Sequence, residues 1–241
     1  MSNIDDLLNA IGNGVISGTV RRTWVCAQCR DDAPQGEKYC RSCALEDRMR
    51  RQSARLADAV ESIPERFRNA HKWTWDKKRQ RVIDAAVATG GHLLLTGLPG
   101  QGKSAIACAI LGRRLQSVQH DCATWAEVED ASTIRFISDP DLCRAEAMHP
   151  LGSKVDSPMY MAGLHASLLV LDDLGFDLAS RRHPGAELVM ARYNARRPTI
   201  VTTGHTRSVV EERWGGGVGR RIWTQSFGIN CDEFPAMEVV R

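Results

Sequence analysis

The sequence contains no long apolar run. No stretch of its 241 residues approaches the ~18 consecutive apolar residues that a membrane-spanning helix requires. The N-terminus also lacks the pattern of a secretory signal peptide. We therefore expect no membrane segment and a cytoplasmic location. The length leaves room for one sizeable α/β core and a small additional module.

The sequence also has little excess charge of either sign. Its 32 basic and 29 acidic side chains leave a formal net charge of +3, which is too small to indicate a nucleic-acid partner. Locally the balance differs, because residues 41–81 contain twelve Lys or Arg against six Asp or Glu. This stretch predicts either a surface that meets phosphate or a solvated helix between two domains. Charge alone leaves both interpretations open.

Apolar residues are scarce between Arg21 and Arg41, so this segment cannot bury a core unaided. Two CxxC pairs, separated by ten residues, lie in and next to it, and such spacing can wrap four thiolates around one Zn²⁺. Zinc would then supply the fold of the module. Disulfides are disfavoured in a reducing cytosol. A redox CxxC is the alternative, but it would not call for two copies. The predicted zinc ligands are Cys26, Cys29, Cys40 and Cys43.

A glycine-rich loop with the pattern GxxxxGK[ST] extends from Gly97 to Ser104. An apolar run precedes it and a helix-forming run follows it, which is the context that a phosphate-binding loop requires. In such loops N–H groups curl around a phosphate, the lysine reaches the β- and γ-phosphates, and the hydroxyl holds Mg²⁺. The alternative is a glycine-rich turn with a solvated lysine. The residues predicted to bind ATP are Gly97, Pro99, Gly100, Gln101, Gly102, Lys103 and Ser104.

The apolar run Leu168–Leu171 is followed by Asp172 and Asp173. This Walker B pattern is typical of a buried parallel strand that delivers acidic groups to its C-terminal end. Asp172 is predicted to hold Mg²⁺ together with Ser104, and Asp173 to orient or deprotonate the water that attacks the γ-phosphate. Asp173 is one methylene shorter than the glutamate more often found in this role.

Strand and helix patterns alternate around these motifs and predict a parallel sheet covered on both faces. Strands are expected at Leu93–Thr96, Thr133–Ile137, Leu168–Leu171 and Thr199–Thr203. We predict three segments along the chain. They are an N-terminal helix with the four-cysteine zinc module at 1–43, a basic linker helix at 44–61, and an ATPase domain at 62–241.

From Ile63 to about Trp223 the sequence resembles the DnaC/DnaI/IstB group of AAA+ ATPases, which comprises helicase loaders of bacteria and phages and related transposition helper ATPases. The supporting stretches are Ile63–Phe67, the glycine-rich loop, Leu169–Gly175 and Ala191–Thr203. The last is the most discriminating, because many ATPases share the other motifs. The resemblance implies an AAA+ P-loop domain of three α/β/α layers, with ATP and Mg²⁺ as ligands.

The resemblance also implies a sensor of the γ-phosphate at the end of the Thr199–Thr203 strand. Relatives commonly have Asn after Thr-Thr, whereas this sequence has Gly204 and then His205. Thr203 is our first candidate for the sensor and His205 the second. The alternative for His205 is an ordinary surface loop residue.

Arg220 and Arg221 fall where such proteins place the arginine finger that reaches the ATP of a neighbouring subunit. Which of the two acts stays open, and a solvated basic pair is the alternative. Twenty residues follow Arg221, too few for the helical lid of many AAA+ proteins, so we expect the lid to be missing or vestigial. Self-association into an ATP-dependent open ring or spiral would then complete the active sites. The alternative is a monomer with weak turnover.

Three functions fit these features. The first is loading of a DnaB-family replicative helicase onto single-stranded DNA, with the zinc module docking the helicase. The second is a transposition regulator of the IstB or TnsC kind that coats duplex DNA. The third is a nucleotide-binding switch with little hydrolysis. Trp73 and Trp75 would stack on DNA bases in the first, although burial against the ATPase core is the preferred interpretation.

Overall fold

The computed structural model describes residues 24–34, 37–120, 133–150, 156–176 and 183–235. The predicted N-terminal helix lies outside these residues. The chain divides into two compact units, Met1–Arg51 and Gln52–Arg241, and each is taken by itself below. The predicted boundaries at residues 43 and 61 remain a prediction.

The first unit has a small core. Strand β1 (Trp24–Val25) pairs antiparallel with β2 (Asp32–Ala33), and helix α1 (Arg41–Ser62) begins after it. The segment 44–61, predicted as a basic helix, lies within α1. The buried core residues are Cys26, Cys40 and Cys43, with Ala33 and Tyr39 packed against them. In the described part of this unit, so little apolar surface is buried that it would not offset the entropy of ordering these residues, which fits the prediction that a metal supplies the fold.

A five-stranded sheet forms the framework of the second unit. Its strands are β3 (Leu93–Thr96), β4 (Ile134–Ser138), β5 (Leu168–Asp172), β6 (Thr199–Thr203) and β7 (Phe227–Asn230). They lie in the order β4-β5-β6-β3-β7, and every pairing between them is parallel, as predicted. The central strands are buried, which suits their apolar composition.

Successive residues of the central strands alternate between two cores. The helices around the sheet are α2 (Lys77–Thr89), α3 (Lys103–His120), α4 (Asp139–Met148), α5 (Pro158–His165), α6 (Pro184–Asn194), α7 (Arg207–Trp214) and α8 (Gly216–Thr224). Leu93 and Leu95 pack on one face with residues of α2 and α3, whereas Leu94 packs on the other with residues of α4 to α8. The unit therefore has the predicted three α/β/α layers. A search of the described parts of the chain finds no helix with the length and apolar character of a membrane span.

The side chain of Arg192 on α6 gives a structural reason for much of the residue pattern in Ala191–Thr203, the stretch most specific to the sequence resemblance. It is fully buried and donates to Gly163 O and Ala166 O at 2.7 Å each, to Pro198 O at 2.6 Å and to Thr199 Oγ1 at 2.9 Å. Burial lowers the pKa of Arg192 to about 10. These bonds fasten α5 and α6 to the start of β6, at the end of the sheet opposite the glycine-rich loop.

Candidate functional site

The glycine-rich loop connects β3 with α3, which begins at Lys103. Gly100 and Gly102 have φ angles of 85° and 83°, in the left-handed region that favours glycine. A Cβ at Gly100 would meet no atom within 4 Å, so backbone conformation rather than crowding requires this glycine. Strand, loop and helix thus follow one another as a phosphate-binding loop requires.

Lys103 lies over the loop. Its side chain is buried, and Nζ donates to Gly97 O at 2.7 Å and to Leu98 O at 3.0 Å. It forms no salt bridge with any residue that the structure describes. Carbonyl oxygens carry no formal charge, so this arrangement leaves the Lys103 side chain able to attract an anion.

Asp172 ends β5 with a buried carboxylate. The Thr202 hydroxyl donates to Asp172 Oδ1 at 2.6 Å, and the Ser104 side chain lies close enough to this carboxylate to affect its ionisation. Burial raises the pKa of Asp172, while the Thr202 hydrogen bond, the nearby Ser104 hydroxyl and the charge of Lys103 act in the opposite direction. The structure therefore brings together Ser104 and Asp172, the two residues predicted to hold Mg²⁺.

Asp173 has a left-handed backbone, with φ of 55°. Such a conformation costs a residue with a Cβ about 1–2 kcal/mol. The Asp173 N–H donates to Thr202 Oγ1 at 2.9 Å, so neighbouring β6 holds the turn in place. The Asp173 side chain lines the cavity above the loop.

Thr202 is the residue of this site that the sequence did not reveal. Its buried hydroxyl donates to the Asp172 carboxylate and accepts from the Asp173 N–H. Thr203, the first candidate for the sensor, donates instead to Leu174 O at 2.8 Å and accepts from His205 N at 3.1 Å. Strand alternation points the side chains of Thr202 and Thr203 to opposite faces of the sheet, and this was the signal available in the sequence. To assign Thr202 to the site from this signal required knowing that β5 and β6 are neighbours.

The second sensor candidate, His205, is also engaged within the fold. Its Nε2 lies 3.1 Å from Gly175 O, and its ring stacks on Phe176 with ring centroids 5.2 Å apart. Gly204 offers no side chain between the two candidates.

A cavity of 1370 Å³ opens above the loop, larger than the roughly 300–1,000 Å³ usual for small-molecule sites. Lys103, Ser104 and Asp173 are among the residues that line it. Trp73 and Trp75 also line it, and their ring centroids are 5.7 Å apart. Both tryptophans are half-buried against the core, as the preferred interpretation of the sequence predicts. The remaining lining residues include Arg66, Phe67, Asp76, Arg79, Gly100, Gly102 and Phe176.

Arg220 and Arg221 on α8 differ in their surroundings. Arg221 Nε and NH2 donate to Asn194 Oδ1 at 3.3 and 3.1 Å, and its NH1 donates to Gly217 O at 3.1 Å. Arg220 is exposed, and its guanidinium makes no hydrogen bond or ion pair with the described residues. Neither arginine is among the described residues that line the cavity.

In the first unit, the four predicted zinc ligands form one cluster, with all Sγ atoms within 4.8 Å of one another. Zn–S bonds of about 2.3 Å in a tetrahedron place sulfurs about 3.8 Å apart, and Cys29 Sγ and Cys40 Sγ are 3.5 Å apart. Burial opposes ionisation of Cys26, yet hydrogen bonds from the backbone of Cys29, Cys40 and Gln28 lower the pKa of its thiol to about 6. The seven described cysteines are free thiols. The donor set fits zinc.

No protein-family model matches the chain, and no curated protein sequence matches it. Among solved structures, a Streptococcus pyogenes serotype M3 protein described as a candidate primosome component is 15% identical over 73% of this chain and 94% of its own, with a TM-score of 0.50. DnaI is 20% identical over 66% of this chain and 87% of its own, with a TM-score of 0.47. AMPPCP-bound DnaA from Aquifex aeolicus is 13% identical over 70% of this chain, with a TM-score of 0.49, and the match spans 50% of the DnaA chain.

At such low sequence identity these structural similarities are evidence for the fold alone. The conclusion about the fold rests on the S. pyogenes structure. The second unit has the predicted fold, an α/β/α domain with a parallel sheet and a glycine-rich loop between β3 and α3. With the four-cysteine cluster on its N-terminal side in the sequence, this fold fits the predicted resemblance to DnaC/DnaI-type AAA+ proteins.

Proposed function

We propose that the protein binds and hydrolyses ATP. The observation that carries this proposal is that Lys103 and Ser104 lie close to the buried Asp172 carboxylate, at the carboxyl ends of parallel strands. Lys103 would contact the β- and γ-phosphates, and Ser104 and Asp172 would hold Mg²⁺. Mg²⁺, when bound, neutralises charge on the phosphate oxygens.

Asp173 would orient the attacking water, and Thr202 would fix both aspartates. A carboxylate that positions water must itself be held, because small displacements of a catalytic group are costly. The two hydrogen bonds of the Thr202 hydroxyl meet this need from a neighbouring strand.

The base of the nucleotide would lie against the tryptophan rings that line the cavity. Trp73 and Trp75 present partly buried rings there, and Trp75 is fixed by a 3.1 Å hydrogen bond from its Nε1 to Ala70 O. Stacking of a base on an aromatic ring contributes about 1–3 kcal/mol. We therefore assign the two tryptophans to the nucleotide rather than to single-stranded DNA.

Arg220 would complete the site of a neighbouring subunit. An arginine finger must be free to reach across an interface, and Arg220 is exposed whereas Arg221 is held by Asn194 and Gly217. This role implies ATP-dependent self-association, as an open ring or spiral, in the hydrolysing state.

In this proposal the ATPase serves DNA replication by loading a DnaB-family helicase onto single-stranded DNA. The sequence resemblance over Ile63–Trp223 supports it, as does a four-cysteine module ahead of the ATPase. The S. pyogenes protein with the same fold is itself described as a candidate primosome component. The four-cysteine module would dock the helicase and hold one Zn²⁺, which contributes folding free energy to the module.

Size exclusion with light scattering tests the loader directly. We expect this protein to co-elute with a DnaB-family hexamer in the presence of ATP, and single-stranded DNA to stimulate ATP hydrolysis in the same samples. No complex, together with ATP-dependent filaments on duplex DNA, would instead identify a transposition regulator.

Replacing Cys26 and Cys29 together by serine is expected to release the zinc and abolish the helicase complex. ATP affinity should stay within about twofold of the original, because the nucleotide site lies wholly in the second compact unit. Metal analysis, co-elution and nucleotide titration measure the three effects. Cys143→Ala, which removes a thiol outside the cluster, should retain the zinc. Full zinc content in the double variant would contradict the ligand assignment.

A nucleotide-binding switch is the second candidate, and one observation favours it. Both sensor candidates use their polar atoms within the fold, Thr203 at Leu174 O and His205 near Gly175 O. Slow hydrolysis would then leave ATP bound as a signal. DNA-stimulated turnover that disappears in Asp173→Ala would exclude the switch.

A further inference from the structure

A short segment after the last strand touches the glycine-rich loop. Residues Cys231–Glu233 form a 3-10 turn that follows β7, and Asp232 Oδ1 accepts a hydrogen bond from the Leu98 N–H at 2.7 Å. No sequence motif marks Asp232. Its neighbour Asn230 accepts from the Asp232 N–H at 3.2 Å, which fixes the start of the turn.

The peptide between Gly97 and Leu98 is held from both sides. Its carbonyl oxygen, on Gly97, accepts from Lys103 Nζ at 2.7 Å, and its N–H, on Leu98, donates to Asp232. Gly97 has φ of 137°, and a Cβ there would lie 2.9 Å from Asp232 Oδ1, so only glycine permits this approach. Because glycine also leaves this peptide free to rotate, a fixed hydrogen-bond partner for the Leu98 N–H determines the orientation of the peptide.

The same segment is anchored at its far end to α2. Lys78 Nζ donates to Glu233 O at 2.9 Å, and Arg79 donates to Pro235 O. The Arg79 guanidinium also lies 5.1 Å from the centroid of the Phe234 ring. Asp232 therefore projects from a turn fixed at both ends and acts on the loop as a rigid support.

We propose that Asp232 is a positioning residue for the phosphate-binding loop. This role rests on the proposed function. Asp232 fixes the Gly97–Leu98 peptide so that Lys103 is held over the loop, and from this position the Lys103 ammonium group moves to contact the phosphates of ATP. Asp232 acts as a hydrogen-bond acceptor, and its negative charge is incidental to this role.

Two substitutions separate the acceptor from the charge. Asp232→Asn keeps an oxygen that can accept from Leu98 N–H, whereas Asp232→Ala removes it. We expect the alanine variant to bind ATP about five times more weakly, since the loss of one solvent-exposed hydrogen bond has a modest effect. The asparagine variant should stay within about twofold of the original. If the charge alone mattered, both variants would bind ATP more tightly, because a negative group near the phosphates is lost.

Glu233→Ala is the matched control, because it removes the same charge from the adjacent position. Among the residues that the structure describes, the Glu233 carboxylate contacts only the exposed Lys78, at 3.4 Å, so its removal should leave ATP affinity unchanged. Hydrogen exchange at the Leu98 amide, measured without nucleotide, should be faster in Asp232→Ala than in the asparagine variant. If the alanine variant fails to fold, Asp232→Ser, too short to reach the amide, takes its place.

The outcomes are distinct. Weak binding in Asp232→Ala, restored in Asp232→Asn, supports the positioning role. Equal or tighter binding in Asp232→Ala overturns it, as does equal weakness of both variants. A lack of ATP binding by the unmodified protein would overturn the proposed function and this role together.

Discussion

Replacing Lys103 by alanine is expected to lower ATP affinity roughly 100-fold and to abolish measurable hydrolysis. The ammonium group makes several charge-assisted hydrogen bonds to phosphate in loops of this kind, each of about 1.5–3 kcal/mol. The affinity is read from titration with ATP and Mg²⁺, and turnover from phosphate release.

Lys77→Ala provides the matched control, because it removes an exposed lysine that does not line the cavity. Thermal unfolding of both variants, without nucleotide, separates a binding defect from a folding defect. Unchanged ATP affinity in a folded Lys103→Ala protein would refute the assignment of the loop.

Arg220→Ala is expected to reduce DNA-stimulated hydrolysis about 1,000-fold while leaving ATP affinity within about twofold, because a finger in trans contributes 10³–10⁵ in kcat. Arg221→Ala should cost less than about tenfold. That side chain is occupied by Asn194 and Gly217, so its loss affects mainly the local stability of α8. Both variants are compared by turnover at saturating ATP and single-stranded DNA.

Mixing experiments show whether the finger acts in trans. Arg220→Ala protomers retain an intact Asp173, and Asp173→Ala protomers retain an intact Arg220. Mixed assemblies should therefore recover part of the activity that each variant lacks alone. Equal losses in Arg220→Ala and Arg221→Ala, or no recovery on mixing, would point to another finger.

The sheet could be largely predicted because buried parallel strands appear in a sequence as short apolar runs. Strands β3, β5 and β6 begin at the predicted residues, and the strand predicted at Thr133–Ile137 is observed one residue later. Strand β7 could not be predicted in this way. It contains Gly228, and only Ile229 among its residues is buried, so neither an apolar run nor a clear alternation marks it. Pairing with β3 determines its conformation.

Within the candidate site, the functional groups that could be predicted are those that lie close together along the chain. The loop carries its glycines, lysine and serine in eight consecutive residues, and two carboxylates follow one apolar run. Thr202 and Asp232 could not be found, because their partners lie 30 and 134 positions away. Only the strand order brings these atoms together.

The left-handed backbone at Asp173 sets stability and activity against each other. Glycine or asparagine would adopt its φ of 55° with less strain and would stabilise the folded protein. Neither, however, supplies the carboxylate proposed to position water. Selection for heat resistance alone would therefore enrich Gly or Asn at this position, whereas selection for the proposed turnover would retain the aspartate.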